Sequence, residues 1–548
     1  MKKSIIVILG VVLAIGMLLG GCQTDAKDTT PDTQATTANA ENEETTVAET
    51  AESEDSGEIV EIEFMRLDPT WDPIKWGDDP VTKQMMEKTG VKLICSAPSG
   101  DWEQIANVML VSEDYPEMLN FPGGAGTNAI FNKYVAAGAL YSIDELSETY
   151  NYPEILDGTT IPLASQSVHR SEDGKLYGVP EWFSEDGFGS VGQEIQVRND
   201  IYQELGEPEI ATMDDFYNAL VAVRDANMTY NGVDIWPLAI HWQDDAMMGN
   251  VANIYGTNIQ RFIYYNTENQ GVEFFLRAPE LTKAIEFLNK CYNEGLVDPE
   301  CFTFDSTQMS EAYAQGKYAY TMSWLWNLWT ADSVLSQDDP NMYYKAIELP
   351  QGTPGVQQYF GYVHTAGDLG VSVTKSCKNP EAAIRFINYC LSDEGEILDF
   401  YGAEGVTMEF VDGEPYLLDG VYEAKLADWT GYGQETGLRY WDRMKSQKWN
   451  WERKTEAPIR AANRAMAAKY AFDATYLKAL QIDAATPEGI LLAEIEANIL
   501  SQITQIIIQP DTAGVEASVQ ELLQSYEAKD LSALEAAWSE QYTKLTNK

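Results

Sequence analysis

The chain has 548 residues, of which 45% are hydrophobic and 11% aromatic, so it is long enough to form two or more domains with hydrophobic cores. Its 86 acidic residues outnumber 36 basic residues, which gives a net charge of −50. This balance argues against nucleic-acid binding and against docking on anionic lipid, because both need a positive face, and it favours an uncharged or cationic ligand.

The N-terminus carries an export signal. Two lysines precede an apolar run from Ile5 to Leu19, which is shorter than the ~20 residues that cross a bilayer. The run ends in Leu-Gly-Gly-Cys22, which resembles the cleavage site of a bacterial lipoprotein signal. By that resemblance residues 1–21 are removed, and Cys22 carries a lipid on the extracellular side of a bacterial membrane. An ordinary cleaved signal with a chance cysteine is the alternative.

Residues 22–57 are predicted to be a disordered tether. The stretch from Gln23 to Gly57 holds ten acidic residues, nine threonines and no aromatic residue. Such a segment cannot bury enough apolar surface to offset its ordering entropy. Next to a lipidated cysteine it would hold a folded body away from the membrane.

The remaining five cysteines are odd in number and form no Cys-x-x-Cys pair, so neither a disulfide framework nor a zinc site is predicted. They are expected to be buried free thiols, although the spacing leaves a Cys291–Cys301 or Cys377–Cys390 bond open. The five are Cys95, Cys291, Cys301, Cys377 and Cys390.

The first elements form a strand–helix–strand unit. Residues 58–64 alternate as a strand does, a helix follows from Asp79 or Pro80 to Lys88, and residues 91–95 form the next strand. This order is typical of a parallel sheet covered by helices. A further helix is predicted over 102–111.

A glycine-rich stretch follows the strand predicted within 173–180. Its spacing, Gly187-x-Gly189-x-x-Gly192, matches a dinucleotide fingerprint only superficially, because a strand over 194–198 follows it and not a helix. We therefore interpret the glycines as a loop and predict no cofactor.

Three tryptophans lie within six residues near the middle of the chain. The alternation over 318–322 predicts a strand, and Trp324, Trp326 and Trp329 follow it. So many indoles either pack in a core or line a cleft, where a flat apolar ring suits the CH face of a sugar.

Several ordered motifs resemble the family 1 extracellular solute-binding proteins of ABC importers, and in particular their large lipoprotein subfamily. The resemblance covers the chain from Glu58 to its C-terminus. It rests on MMEKTGV with SEDYPEML, on DGKLYGVP with VRNDIYQELG, on MSWLWNLW, and on KNPEAAIRFINYCLSDEGEILDFYGAEG.

The resemblance implies an α/β type II periplasmic-binding-protein fold with two lobes, a cleft, crossover strands and a helical C-terminal extension. Lobe 1 is expected over 58–178, with 359–405 returning to it. Lobe 2 is expected over 194–350, together with the helical part 406–548. The lobes would close over bound solute.

The resemblance also implies that the protein captures a carbohydrate, which we expect to be an oligosaccharide, and delivers it to the permease subunits of an ABC importer. We expect a monomer without catalytic activity. The residues expected at the ligand are Trp71, Trp76, Trp182, Phe183, Trp242, Trp324, Trp326, Tyr362 and His364.

Other interpretations stay open at this point. A lipoprotein that binds peptides or other small solutes would use the same tether, as would a surface adhesin. The chain has three histidines and no Ser-hydrolase, zinc-protease or P-loop motif, yet a carboxylate pair of the glycosidase type could hide among its acids. The subfamily often has a calcium loop at Asp225–Pro237, but this chain lacks the central glycine and the final acid, so no metal is predicted.

Overall fold

The computed structural model describes residues 59–546 except 70, 123–127, 189, 245, 442, 456 and 484. Cys22, the signal peptide and the tether therefore lie outside the described residues. The strands are β1 (Val60–Arg66), β2 (Val91–Ser96), β3 (Met118–Asn120), β4 (Val179–Glu181), β5 (Gln193–Arg198), β6 (Thr229–Tyr230), β7 (Val233–Asp234), β8 (Trp236–Ile240), β9 (Ile263–Asn266), β10 (Gly271–Phe274), β11 (Tyr318–Trp324), β12 (Tyr344–Ala346), β13 (Tyr362–Val363), β14 (Asp368–Val373), β15 (Met408–Val411), β16 (Glu414–Leu417) and β17 (Phe472–Asp473).

Helices connect most of these strands and make up the C-terminal part. They are α1 (Pro80–Thr89), α2 (Trp102–Ser112), α3 (Ala129–Ala136), α4 (Ile143–Tyr150), α5 (Leu163–His169), α6 (Asn199–Glu204), α7 (Met213–Ala226), α8 (Met247–Asn253), α9 (Pro279–Asn293), α10 (Ser306–Ala314), α11 (Trp329–Asp338), α12 (Pro380–Leu391), α13 (Asp393–Tyr401), α14 (Val421–Ala427), α15 (Trp429–Thr436), α16 (Glu452–Thr455), α17 (Pro458–Tyr470), α18 (Thr475–Lys478), α19 (Pro487–Ile507), α20 (Val515–Glu527) and α21 (Leu531–Thr546).

Local sequence signals explain the ends of the helices that were predicted. In α1 the Asp79 carboxylate accepts hydrogen bonds from the first backbone N–H groups, and Gly90 ends the helix in the left-handed region at φ 65°. In α7, Thr212 and Asp215 form a reciprocal capping box. These caps set the length of each helix, so the connecting loops reach the sheets at fixed points.

The first sheet has the order β2-β1-β3-β14-β4. Strand β1 runs parallel to β2 and β3, whereas β14 is antiparallel to both of its neighbours. In β1, Ile62 and Phe64 are fully buried while Glu61 and Glu63 are exposed, so one face of this strand packs into a core.

The second sheet has the order β12-β5-β11-β8, and β11 lies in its interior. Strand β11 is parallel to β8 and antiparallel to β5. All residues from Tyr318 to Ser323 are buried, because helices or neighbouring segments cover both faces of this strand.

Three crossover segments join the two sheets and lie side by side. The first links β4 to β5, the second links β12 to β14, and the third leads from Lys445 to Tyr470. The backbone N–H of Trp182 donates to the carbonyl of Lys445 at 2.8 Å, and that of Phe360 donates to the carbonyl of Tyr470 at 2.9 Å. The predicted α/β architecture, with two lobes joined by crossover segments, is confirmed.

The C-terminal part divides between the lobes, which differs from the prediction. We expected residues 406–548 to belong to lobe 2, but Trp441 and Met444 are buried in the core of the first sheet. The stretch from Phe472 to Trp538 packs in the core of the second sheet instead. The lobe boundary therefore lies between Met444 and Phe472, where the third crossover segment passes.

Helix α19 is the one helix of the described chain that is long and apolar enough to span a membrane, judged by length and composition alone. Its isoleucines at 495, 499 and 503 recur every four residues and are fully buried in the core of the second lobe. That arrangement is typical of a core helix with one apolar face.

Candidate functional site

The first crossover segment brings strand ends of the two sheets close to each other. In the second sheet, β8 and β11 end at Ile240 and Trp324, and β5 begins beside them at Gln193. In the first sheet, β4 ends at Glu181, and residues 182–192 connect it to the start of β5 in the second sheet. Ligands of open α/β sheets bind outside the carboxyl ends of strands, so this junction is the candidate site.

Trp324 and Trp326 stack on each other at the end of β11. Their ring centroids lie 4.4 Å apart with an interplanar angle of 21°. The prediction left open whether the strand end would split the two rings, and the structure places them on the same side. Trp326 is 36% exposed and is the most exposed of the nominated rings, so it offers indole surface to a ligand.

Three contacts fix the Trp324 ring. Its indole N–H donates to the carboxylate of Asp244, and the ring of Tyr362 meets it edge-on at a centroid distance of 5.9 Å. Stacking on Trp326 provides the third contact. A ring held in this way loses little further freedom when a ligand stacks on the pair, which favours binding.

Gly192 provides the space in which Trp326 lies. A Cβ atom at Gly192 would lie 2.5 Å from Cζ3 of Trp326, closer than any side chain could tolerate. The next residue, Gln193, is Trp324's cross-strand partner and is 1% exposed. Neither polar atom of its amide has a hydrogen-bond partner among the described residues, so the stacked pair has an unsatisfied amide beside it.

His241 follows β8 and faces polar side chains. Its Nδ1 lies 3.1 Å from the amide nitrogen of Asn327, and its Nε2 lies 3.3 Å from the hydroxyl of Ser306. Burial lowers the pKa of His241. A neutral ring can accept the Asn327 donor at Nδ1 and donate from Nε2, which fixes the tautomer.

Three of the nominated aromatic residues pack in hydrophobic cores and present no open ring face, contrary to their predicted role. Trp242 is 2% exposed and meets Phe302 edge-on in the core of the second lobe. Trp76 is 5% exposed and packs against Trp441 in the first lobe, where Phe183 is buried as well. Their residue type fits a cleft, but their position in the strand or loop turns them inward.

Trp71 and Trp182 are half-buried and are covered by cations. The guanidinium of Arg66 lies 5.8 Å from the Trp71 ring centroid. The Trp182 ring has the guanidinium of Arg439 at 5.4 Å and the ammonium of Lys445 at 4.8 Å. Each ring therefore takes part in a cation–π contact, which restricts its orientation.

Tyr362 and His364 lie on the second crossover segment and are largely buried. Tyr362 reaches the site by its contact with Trp324, as described above. His364 instead places Nε2 2.8 Å from the ammonium of Lys478. Burial, and then the charge of Lys478, hold the pKa of His364 well below its ordinary value, so this histidine is neutral.

An aromatic cage around Arg439 was not predicted. Its guanidinium lies between 5.0 and 5.5 Å from the ring centroids of Trp182, Phe400, Trp429 and Trp451. Glu452 accepts from Arg439 at 3.1 Å and from Arg464 of α17 at 3.2 Å, which links Arg439 of the first lobe to the third crossover segment. The tryptophan density over 429–451 was the signal that could have found it.

A cavity of about 450 Å³ lies where the first and third crossover segments meet. Its cations are paired with acids: Arg453 with Asp186, Lys454 with Glu414, and Arg464 with Glu452. Both guanidinium groups also lie over the ring of Phe188. Each cation of the wall therefore has an acidic partner.

The free cysteines agree with the prediction. Cys291, Cys301, Cys377 and Cys390 are buried free thiols, and Cys95 is partly buried. Among the described residues, no group of three His, Cys, Asp or Glu side chains is arranged to hold a metal ion.

Comparison with known proteins gives one family. A family model described as bacterial extracellular solute-binding protein matches residues 81–408. Lipoprotein LipO of Bacillus subtilis is 23% identical over 351 residues, and the melibiose/raffinose/stachyose-binding protein MelE of the same organism is 21% identical over 270 residues. These alignments cover 61% and 49% of the chain, and 65% and 56% of the relatives' own lengths.

The fold is shared with solved solute-binding proteins. The Streptococcus pneumoniae ABC-transporter substrate-binding protein FusA, solved in complex with kestose, superimposes with a TM-score of 0.68 at 16% identity. The alignment covers 89% of this chain and all of that one. At this identity the likeness establishes the fold.

Proposed function

We propose, from the premise that this chain belongs to the family of bacterial extracellular solute-binding proteins, that its solute is a saccharide delivered to the permease of an ABC importer. The observation that carries the proposal is the stacked pair of Trp324 and Trp326 at the junction of the two sheets. MelE, which is similar in sequence, is named for the saccharides melibiose, raffinose and stachyose, and FusA, which is similar in fold, was solved in complex with kestose; both support the same class here.

The chemistry of the pair suits a sugar better than a peptide. Indole surface binds the CH face of a pyranose or furanose ring, while the amide of Gln193 and the Asn327–His241 network lie near it as hydrogen-bonding groups. Closure of the lobes about the crossover segments would enclose the ring, because the ligand binds the closed state better. No step of this mechanism needs catalysis, and we infer a binding protein without enzymatic activity.

The export signal supports attachment to the outer face of the membrane. We infer that Cys22 is lipidated and that residues 23–57 connect it to a monomeric folded body. Cys22→Ala should release the protein into the medium or leave the precursor uncleaved. Mass spectrometry of a mature chain that starts unmodified at another residue would contradict this assignment.

The test of saccharide capture is a printed array of neutral and acidic mono- to tetrasaccharides, followed by calorimetry with the strongest hit as a free sugar. Trp326→Ala should weaken binding about tenfold, because a stacked aromatic ring contributes about 0.5–1.5 kcal/mol in addition to the apolar area that it buries. Trp236→Ala is the matched control, since Trp236 is half-buried at the opposite end of β8. Saccharide capture is wrong if the array gives no hit, or if Trp326→Ala binds as the wild type does.

A further inference from the structure

The first lobe has a polar edge where the carboxyl ends of its strands meet the first crossover segment. Strands β1, β3 and β4 run in the same direction, since β1 is parallel to β3, and β14 is antiparallel to both β3 and β4. They therefore end at one edge of the sheet, and β4 continues from there toward the second lobe. The polar edge consists of Arg66, Asp68, Asn120, Glu181, Asp368 and Arg443.

We propose that this polar edge is the first lobe's half of the solute site and that it binds the hydroxyl groups of a neutral sugar ring. The inference rests on the proposed function and adds the polarity of the solute. The stacked Trp324 and Trp326 belong to the second lobe and offer apolar surface. Such a surface does not distinguish a neutral sugar from an acidic one, because both have a CH face, so the discrimination depends on the polar edge.

The side chains of the polar edge share one face of the first sheet. Arg66 and Asn120 are register partners in the parallel pair of β1 and β3. Met118 lies two residues before Asn120, and Val179 lies two residues before Glu181; both are buried in the first-lobe core. Since side chains two apart along a strand point the same way, Asn120 and Glu181 lie on the face of that core, at its end toward the second lobe.

The charges of the polar edge form ion pairs. These are Arg66–Asp68 at 2.8 Å, Arg443–Glu181 at 2.6 Å, and Asp368 with Lys478 of α18 at 3.5 Å. An ion pair presents a charged donor beside a charged acceptor, and a sugar hydroxyl can accept from the first and donate to the second. The carboxylate of an acidic sugar cannot donate, and the acids of these pairs repel it. The polar edge is therefore suited to a neutral ring.

Two buried atoms of the polar edge are available to a solute. Asn120 is 3% exposed and Glu181 is 5% exposed, and Nδ2 of the first and Oε2 of the second have no hydrogen-bond partner among the described residues. Burial raises the pKa of Glu181, whereas the nearby charges of Arg443 and Arg66 oppose the rise. Buried polar groups are normally satisfied, and a hydroxyl group suits both atoms because it donates and accepts.

The Arg66–Asp68 pair is the accessible part of the polar edge. Its side chains are 23% and 25% exposed. The guanidinium of Arg66 also lies 5.8 Å from the ring centroid of the half-buried Trp71, which packs edge-on against Phe64. A charge can therefore be changed at Asp68 without opening the core behind it.

The test changes that charge while it keeps the size of the side chain. Asp68→Asn makes the polar edge more positive, so it should bind the strongest neutral hit of the array less well and an acidic analogue better. The analogue is the same sugar with one primary hydroxyl group oxidised to a carboxylate. In calorimetry the ratio of the neutral to the acidic affinity should fall at least about tenfold.

Asp72→Asn is the matched control for Asp68→Asn. Asp72 lies in the same connection between β1 and α1, is exposed, and accepts a hydrogen bond from Nε2 of Gln434 at 2.8 Å. The same substitution there removes the same charge but leaves the Arg66–Asp68 pair intact. The ratio of the two affinities should change less than about twofold.

A second variant tests the buried amide. Asn120→Leu replaces it by an apolar side chain of similar size, so the solute-free protein should unfold cooperatively at an unchanged or higher temperature. Affinity for the strongest hit should fall about tenfold. Ser372→Ala is the control, because Ser372 is a buried residue of β14 on the opposite face of the same sheet, and its hydroxyl has no described partner either. A lower melting temperature with unchanged affinity for Asn120→Leu would show that Asn120 is structural.

The outcomes separate this inference from the proposed function. If Trp326→Ala weakens binding while Asp68→Asn keeps the wild-type ratio of affinities, the polar edge is wrong and saccharide capture stands. If the strongest hit is itself an acidic sugar, the neutral class is overturned. If nothing on the array binds, saccharide capture fails and this inference fails with it. Asp68→Asn decides the matter alone if Asn120→Leu does not fold.

Discussion

Glu396 is a buried carboxyl whose ionisation is coupled to folding. Its Oε1 accepts from the backbone N–H of Ser446 at 2.5 Å and its Oε2 accepts from the hydroxyl of Ser446 at 2.8 Å. Burial nevertheless raises the pKa of Glu396 to about 7, against the opposing influence of these bonds and of Lys445. The folded state thus binds a proton that the unfolded chain releases at lower pH.

This coupling gives a stability prediction. Because the pKa is raised on folding, the contribution of Glu396 to the free energy of unfolding falls as the pH rises from about 4.5 to about 7. Glu396→Gln should remove this pH-dependent contribution. The slope of the unfolding free energy against pH should then be less negative over that interval. Urea denaturation at several pH values measures the slope, and an unchanged slope would show that Glu396 does not titrate there.

Gly192 gives a second prediction at this scale. Gly192→Ala would place a methyl group 2.5 Å from Cζ3 of Trp326, so the indole must move. We expect the affinity for the strongest saccharide hit to fall about tenfold, while the melting temperature changes little because Trp326 is partly exposed. Gly514→Ala is the control, since its nearest atom would be at 3.3 Å. Wild-type affinity in Gly192→Ala would argue against stacking on Trp326.

Residue type predicted which side chains could bind a sugar, but not which way they point. Trp242 and Trp326 both follow a strand of the second sheet, yet Trp242 packs against Phe302 and Trp326 is open. The difference depends on the packing of segments distant in sequence. Gln193 was overlooked because its significance comes from the absence of a described hydrogen-bond partner, which no sequence pattern encodes.

Among the elements, caps and periodicity predicted most helices and central strands well. The hairpin β15–β16 was missed, although its turn contains Asp412 and Gly413, both at positive φ. An Asp-Gly pair between alternating residues is a strong hairpin signal. The hairpin could therefore have been predicted from the local sequence, but the whole region was assigned as helical. The assignment of residues 406–444 to a lobe could not be predicted, since it depends on the buried position of Trp441.

The stretch resembling a calcium loop is a β-hairpin. Asn231 and Gly232, at φ 50° and 81°, form the turn between β6 and β7. The hydroxyl of Tyr230 bonds to Asp338, and the guanidinium of Arg198 lies 5.4 Å from the Tyr230 ring centroid. Contacts with side chains elsewhere in the chain therefore hold the hairpin in place.

The element therefore gives a prediction about metal dependence. Chelator or added calcium should leave the melting temperature unchanged, because the segment has no glycine at the sixth position and no acid at the twelfth position of a calcium loop. Differential scanning calorimetry with and without each additive checks this. A shift of several degrees with calcium, absent with magnesium, would reveal a site at this hairpin or elsewhere in the chain.

At the scale of the whole molecule, the tether is predicted to be independent of the folded body. Residues 23–57 have no apolar face with which to dock. A chain that starts at residue 58 should melt at the same temperature and bind the same saccharide as the mature chain. A drop of several degrees would mean that the segment packs against one of the lobes.

The strand order of the first sheet also bears on how the protein is made. Strand β14 lies between β3 and β4 but begins at residue 368, so synthesis of most of the second lobe precedes it. Until β14 emerges, β3 and β4 each have an edge without this partner, and the sheet cannot close. Such long-range pairing slows folding, because distant segments must meet before contacts stabilise them. Late closure keeps the nascent chain unfolded for longer, which is the state an exported polypeptide needs to thread through a translocation channel.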